Sequence, residues 1–256
     1  MNYPPVHLYL LVLVLVLSFT AEVVDSGLGM MYGTLLGPIL LIVGFDAYTV
    51  VPSILLSQAV GGIVGTVIHH MYGNADFRVG SQHFNVVLAI AVPGVVASFL
   101  GVMVGASAPQ SVVKAYIGVL ATVMGALCIY PLRYTFRWWK MYLVGLVSAF
   151  NKAMSGGGFG PIASTGKILG GLNPKASIAT TTYAEVPICL TSFILWCLAE
   201  GFAPAWVLLS MCVGSVLGAV FGPRLTSNLN VNTLRVLVGA LSVALGILAI
   251  LGVEYT

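Results

Sequence analysis

Lys152, Glu185, Asp25 and Glu22 are the residues most able to do chemistry in this 256-residue chain, in which only 7% of positions are charged. Each lies in or beside a long run of Leu, Val, Ile, Ala and Gly, and Lys167 makes a fifth. Ionisable side chains at bilayer depth are costly, face the interior, and mark ion pathways or proton relays by default. The chemistry open to them is recognition of an ion by charge and carriage of a proton. Small polar groups suited to an oxyanion accompany them: Asn151, Ser155, Ser26, Ser57, Gln58 and the run Thr180 to Thr182, with Thr181 at its centre. A plainer reading stands beside each. The carboxylates can pair with a lysine merely to hold helices together, Lys167 can snorkel to an interface, and helix hydroxyls often bond only their own backbone.

The glycine-rich stretch NKAMSGGGFGPIASTGKILGG (151–171) carries four of these residues, Asn151, Lys152, Ser155 and Lys167. It nearly spells a phosphate-binding loop, but five residues separate Gly160 from Gly166 and Ile168 follows Lys167. G-x4-G-K-[ST] fails twice, which sets a nucleotide site aside. Apolar residues run up to Phe150 and resume at Ile162, so Gly156, Gly157 and Gly158 interrupt a hydrophobic element. Non-helical backbone at that depth must be buried in protein or line a cavity. The glycines permit positive φ and close approach of a ligand, or they serve close helix packing. Pro161 suits the first turn of a new helix, whose N-terminus would favour an anion.

The elements that must hold this stretch are membrane helices. Hydrophobic residues make up 59% of the chain and mean hydropathy is +1.05, against about 25% charged residues in soluble domains. The chain reads as an all-α polytopic membrane protein. A net charge of +3 is too small to imply nucleic acid. Cys128, Cys189, Cys197 and Cys212 lie in apolar runs without C-x2-C spacing and read as small buried residues. The first apolar run lacks a basic leader and is long enough to span, so it reads as a helix rather than a signal peptide. His69, His70, Asp76 and His83 fit no zinc spacing, and HHMYGNADFR reads as a hydrated loop. No metal or cofactor is expected. Trp138, Trp139 and Tyr142 beside Arg137 and Lys140 read as an interface anchor.

Ten hydrophobic segments fall near 6–25, 33–44, 50–70, 84–105, 111–130, 139–155, 160–171, 175–198, 203–223 and 231–252. Eight can cross a core of about 30 Å, whereas the second and seventh are too short and suggest half-helices or re-entrant segments. Both short segments follow a glycine-rich break. Ser26-Gly27-Leu28-Gly29 matches Ser155-Gly156-Gly157-Gly158, Gln58 falls on Glu185, and PGVVASFLGVMVGA resembles MCVGSVLGAVFGPR. The chain therefore reads as two repeats of about five segments, 1–130 and 131–256, with a broken or re-entrant pair in each. Arg78, Arg133, Arg137, Lys140, Lys175, Arg224 and Arg235 lie in or beside one set of loops, and Asp46, Glu200 and Glu254 in the other, with only Lys114 near them. The positive-inside bias places the basic set in the cytoplasm and both termini outside. An odd number of crossings per half makes the repeats inverted, the architecture of secondary transporters with a site near the midplane.

SGGGFGP with the following TGKILGG, GLGMMYGTLLGPILLIVG, VVPSILLSQAVGG and ATTTYAEVP resemble the sulfite exporter TauE/SafE family over essentially the whole chain. That resemblance implies a multi-pass carrier of the cell membrane that exports sulfite or small organosulfonates, with proton coupling an open addition. The residues expected at a substrate anion are Lys152, Ser155, Gly156, Gly157, Gly158, Asn151, Ser26, Gly27, Gly29, Ser57, Gln58 and Thr181. Glu185, Asp25 and Glu22 are expected to couple an ion. A carboxyl beside an anion site repels the ligand when ionised, so a proton carrier is the role that suits Glu185. Partners are then a small anion and the lipid bilayer, with a homodimer left open. The alternatives are an anion channel, and behind it an intramembrane enzyme for which Ser155 and Lys152 are the nearest approach to a dyad.

Overall fold

A computed structural model describes residues 8–29, 31–130, 137–160, 163, 174–225 and 231–253. Among these, nine helices and no strands occur: α1 (Leu8–Leu28), α2 (Tyr32–Val43), α3 (Ala47–Met71), α4 (Gln82–Ser107), α5 (Gln110–Ile129), α6 (Trp138–Ser155), α7 (Pro174–Glu200), α8 (Ala205–Leu225) and α9 (Val231–Val253). The 130/131 junction, Pro161, Lys167 and nearly all of the expected segment 160–171 lie outside the described residues.

Six of these helices, α1, α3, α4, α5, α7 and α8, are long and apolar enough to cross a bilayer. The sequence leads one to expect eight. Of the others, α6 carries Lys140, Asn151 and Lys152 within 18 residues, and the described apolar run of α9 is Gly239–Leu251. Twelve residues of α2 extend only about 18 Å at 1.5 Å per residue, too short to span. It starts directly after the break at Gly29, whose φ is +69°, and Met31, whose φ is +100°. It ends on Gly44, in a left-handed conformation that returns its N–H to the Leu41 carbonyl. The next helix begins three residues before its apolar run because Asp46 caps it, accepting from the Thr49 N–H and the Thr49 hydroxyl, both at 2.8 Å.

Small residues decide which helices meet. On α8, Gly214, Gly218 and Gly222 lie against the backbone of α1, so closely that a Cβ at Gly218 would stand 2.6 Å from the Phe19 carbonyl oxygen. On α4, Gly101 approaches the Phe150 carbonyl and Gly105 the Met154 carbonyl of α6 in the same way. Spacing of four residues puts such glycines on one stripe, which lets two backbones close together where lipid supplies no hydrophobic drive. The fifth and ninth helices interlock through Gly118 on Gly246 and Gly125 on Gly239.

These contacts also give direction. Gly61 faces Glu22 and Gly65 faces Ser26, so α1 and α3 run parallel; α1 and α8, and α4 and α6, are parallel as well. Gly94 and Gly105 on α4 face Ile188 and Trp196, making α4 and α7 parallel. Gly62 meets Val186 and Gly65 meets Thr182, so α3 and α7 are antiparallel, and α5 and α9 are antiparallel too. The third and seventh helices cross at the centre of the bundle, which is where the polar residues collect.

Candidate functional site

The first break ends on a carboxylate. Asp25 sits in the last turn of α1, and its Oδ1 accepts the Tyr32 backbone N–H at 2.9 Å, satisfying a donor of the first turn of α2. Its other oxygen accepts from Gln58 Nε2 on α3 at 3.1 Å. Gln58 turns its carbonyl oxygen to the Lys152 ammonium of α6. Lys152 in turn pairs with Glu185 on α7, Nζ to Oε1, at 2.8 Å. One continuous chain, Tyr32 N–Asp25–Gln58–Lys152–Glu185, thereby joins four helices and the start of a fifth.

Relative exposures of 4%, 4%, 1% and 5% for Asp25, Gln58, Lys152 and Glu185 place this chain away from any surface. Beside it, Glu22 is 1% exposed and accepts from Ser26 Oγ at 2.6 Å and Ser215 Oγ at 2.8 Å. Among the described residues, the buried side chains that carry charge are Glu22, Asp25, Glu185 and Lys152. Fully ionised, three carboxylates against one ammonium leave two negative charges uncompensated. Burying charge without a partner is costly.

The second break touches the first. Gly156 and Gly158 have φ of +75° and +81°, as expected of these glycines. Gly157, expected with them, is not in that region; its φ is ordinary, and its constraint is space. A Cβ there would lie 3.2 Å from the Thr34 backbone nitrogen, and one on Gly33 would overlap the Gly156 carbonyl oxygen. The Gly158 N–H donates to Thr34 Oγ1 at 3.2 Å, and the Gly157 N–H to Ser155 Oγ at 3.3 Å. The first turn of α2 is thus seated directly on the triple glycine. Helical structure resumes at Phe159, which is buried.

The expected residues divide by where their side chains go. Lys152, Gln58, Glu185 and Asp25 meet in the central chain, and Ser26 and Glu22 meet beside it. Ser57 joins through Tyr32, whose hydroxyl donates to Ser57 Oγ at 2.7 Å and lies 2.7 Å from Ser18 Oγ. Gly29 closes the end of α1 by donating to the Asp25 carbonyl at 2.6 Å. Gly27 is buried inside α1. Ser155 donates to the Asn151 carbonyl at 2.7 Å. Asn151 itself accepts from the Tyr116 hydroxyl of α5, and Thr181 donates to Ser177 one turn back. Those two make the local and helix-to-helix bonds of the plainer reading.

Tyr32, Thr34, Gly33, Ser18 and Ser215 are the site neighbours that the sequence did not single out. Gly33 and Thr34 lie in GLGMMYGTLLGPILLIVG, and their place just after a break is the signal available in the sequence. A further expectation is corrected. His69 does not belong to a hydrated loop: it lies in the last turn of α3 with 0% exposure. The loop starts beyond Met71, and His69 falls one turn after Gly65 on the buried face of α3.

Comparison with known proteins adds two findings. The family model described as sulfite exporter TauE/SafE matches residues 14–249. The probable membrane transporter protein YtnM of Bacillus subtilis (strain 168) is 24% identical over 241 residues, covering 87% of this chain and 77% of the relative. No solved structure matches the chain.

Proposed function

The chain belongs to the sulfite exporter TauE/SafE family of membrane transporters, and from that premise we propose that it exports a small oxyanion, sulfite or a small organosulfonate, with a proton moving through the buried carboxyls. The observation that carries this reading is Lys152, a buried ammonium held by Glu185 at 2.8 Å and by Gln58. A sulfur oxyanion arriving at Lys152 takes the place of the Glu185 carboxylate. Glu185 then has to accept a proton, because a second anion beside the ligand repels it. Release of that proton restores the ion pair and expels the substrate. Asp25 and Glu22 are the further carboxyls that can share the proton.

Packing directions support an inverted arrangement of the halves. With α1 parallel to α3, α3 antiparallel to α7, α7 parallel to α4 and α4 parallel to α6, the first helix of the second half opposes that of the first. Enclosure of all four central side chains suits a carrier that opens alternately to each side better than a continuous pore. On this reading the positive-inside bias of the basic loops puts the 72–81 segment in the cytoplasm and both termini outside.

A thermal-shift screen of purified protein against sulfite, sulfate, thiosulfate, sulfoacetate, taurine and simple carboxylates tests the substrate class, since ligand binding stabilises the folded state by mass action. The expected result is selective stabilisation by sulfite or a sulfonate, lost in Lys152→Met at every pH. Loss of binding in Glu185→Gln with retention in Lys152→Met would point to a cation instead and end the sulfur-anion reading.

A further inference from the structure

The geometry points to His69 as a positioning residue that holds the first break in place, a role resting on the transporter reading above. A helix leaves its last four carbonyls without intrahelical partners, and at the buried end of α1 these belong to Asp25, Ser26, Gly27 and Leu28. Gly29 N–H takes the Asp25 carbonyl. The Ser26 carbonyl oxygen lies 3.2 Å from His69 Nε2, reaching across from the last turn of α3. A carbonyl only accepts, so Nε2 carries the hydrogen. On the far side of the ring, the Asn74 amide nitrogen stands 2.9 Å from Nδ1, and an amide nitrogen only donates. The imidazole is therefore neutral, with its tautomer fixed by Asn74. Asn74 is itself tied to the end of α3, its backbone N–H donating to the His69 carbonyl at 3.0 Å.

What His69 holds is the residue on which the break turns. Ser26 donates from its side chain to Glu22 while its carbonyl accepts from His69, and its neighbour Asp25 carries both the α2 N-terminus and Gln58. A Cβ on Gly222 of α8 would lie 2.5 Å from the Ser26 Cβ, so this end of α1 is wedged between α3 and α8. A clamp beyond it, Arg224 Nε to the Tyr72 hydroxyl at 2.6 Å, joins the same ends of α8 and α3. Any movement that opens the central chain toward the 72–81 segment has to part α1 from α3 here. The bond from His69 to Ser26 resists it at this end of the two helices, one turn and more beyond the bond from Gln58 to Asp25.

Amide hydrogen exchange of the full-length protein in lipid nanodiscs, read on the peptide spanning 24–34, tests this directly. His69→Leu keeps the volume and loses the donor; His69→Gln keeps an N–H that can reach the carbonyl. The expected result is about tenfold faster exchange in His69→Leu, as one lost hydrogen bond produces, with His69→Gln close to wild type. If packing alone were the role of His69, Leu would behave as wild type and Gln would not, which would overturn the proposal. Asn74→Ala leaves the ring in place but frees its orientation, and it should raise exchange in the same peptide by a smaller factor. Should His69→Leu fail to fold, unchanged exchange in Asn74→Ala would overturn the proposal by itself. Sulfite efflux from vesicles is followed beside it, so that absence of flux in the wild type counts against the transporter reading and leaves the exchange result standing.

Discussion

Lys152 is the residue at which stability and function are most tightly joined. Removing its charge in Lys152→Met leaves Glu185 buried without a cation and Gln58 without a donor, a change that typically costs about 3–5 kcal/mol. Removing both charges in Lys152→Met/Glu185→Gln should return much of that loss, because no uncompensated carboxylate is left at the pair. Denaturation midpoints of the two single variants and the double variant in one detergent measure the coupling; additive losses would show that the two side chains act independently. Glu185→Gln alone mimics the protonated carboxyl. Uptake of a proton together with the anion requires, by linkage, that wild-type affinity rise as pH falls from 8 to 5. In Glu185→Gln the same titration of sulfite affinity should be flat and at least as tight, while movement driven by a pH gradient stops. A variant that keeps a wild-type pH slope would assign the proton to Asp25 or Glu22 instead.

Between the elements, the decisive contact is the seat of α2 on the triple glycine. A methyl group on Gly33 overlaps the Gly156 carbonyl, so Gly33→Ala has to push the two breaks apart, at about 1–3 kcal/mol for an overpacked core. Gly44 is the natural control. Its φ is +105° and nothing lies within 4 Å of an added Cβ, so Gly44→Ala reports backbone strain alone. Gly33→Ala should lose anion affinity along with stability, whereas Gly44→Ala should lose only a little stability. Isothermal titration with sulfite beside melting curves separates the two effects, and equal affinities in the two variants would show that the seat serves packing only. Gly157→Val is expected to abolish binding while the chain still inserts, through contact with Thr34 and Gly33 rather than through φ.

For the whole molecule, the proposed inversion of the halves requires that the loops alternate in a fixed order. Single cysteines at Asp76 and Thr135, in a background without native cysteines, should react only from the cytoplasmic side. Cysteines at Asp46 and Glu200 should react only from outside. Impermeant thiol reagents on intact cells and on inverted vesicles read this out. Reaction of positions 46 and 76 from the same face would remove the inverted arrangement. Trp138 and Trp139 are about half exposed on the surface of α6, with the Lys140 ammonium 5.9 Å from the Trp139 ring, as an interface anchor on the cytoplasmic side would be.

Helical class, membrane location, the two breaks and the family were all legible in the sequence, because hydropathy and glycine spacing are local properties that survive without a partner. Glu22, Asp25, Lys152 and Glu185 were legible too, since a charge inside an apolar run is costly wherever the fold puts it. Their pairing was not. Gln58 stands 33 residues from Asp25 and 94 from Lys152, and only the packing of α3 among α1, α6 and α7 turns its amide into the bridge between them. HHMYGNADFR reads as a loop because most of it is polar, whereas the burial of His69 depends on the end of α1 that packs against it. Gly33 and Thr34 gained their importance from the backbone of another segment arriving within contact distance. Sequence determines what each stretch must do with its own backbone and side chains. Which carbonyl, carboxylate or hydroxyl meets which donor is decided by tertiary packing, since those partners lie tens of residues apart and are chosen by the shape of the helices between them.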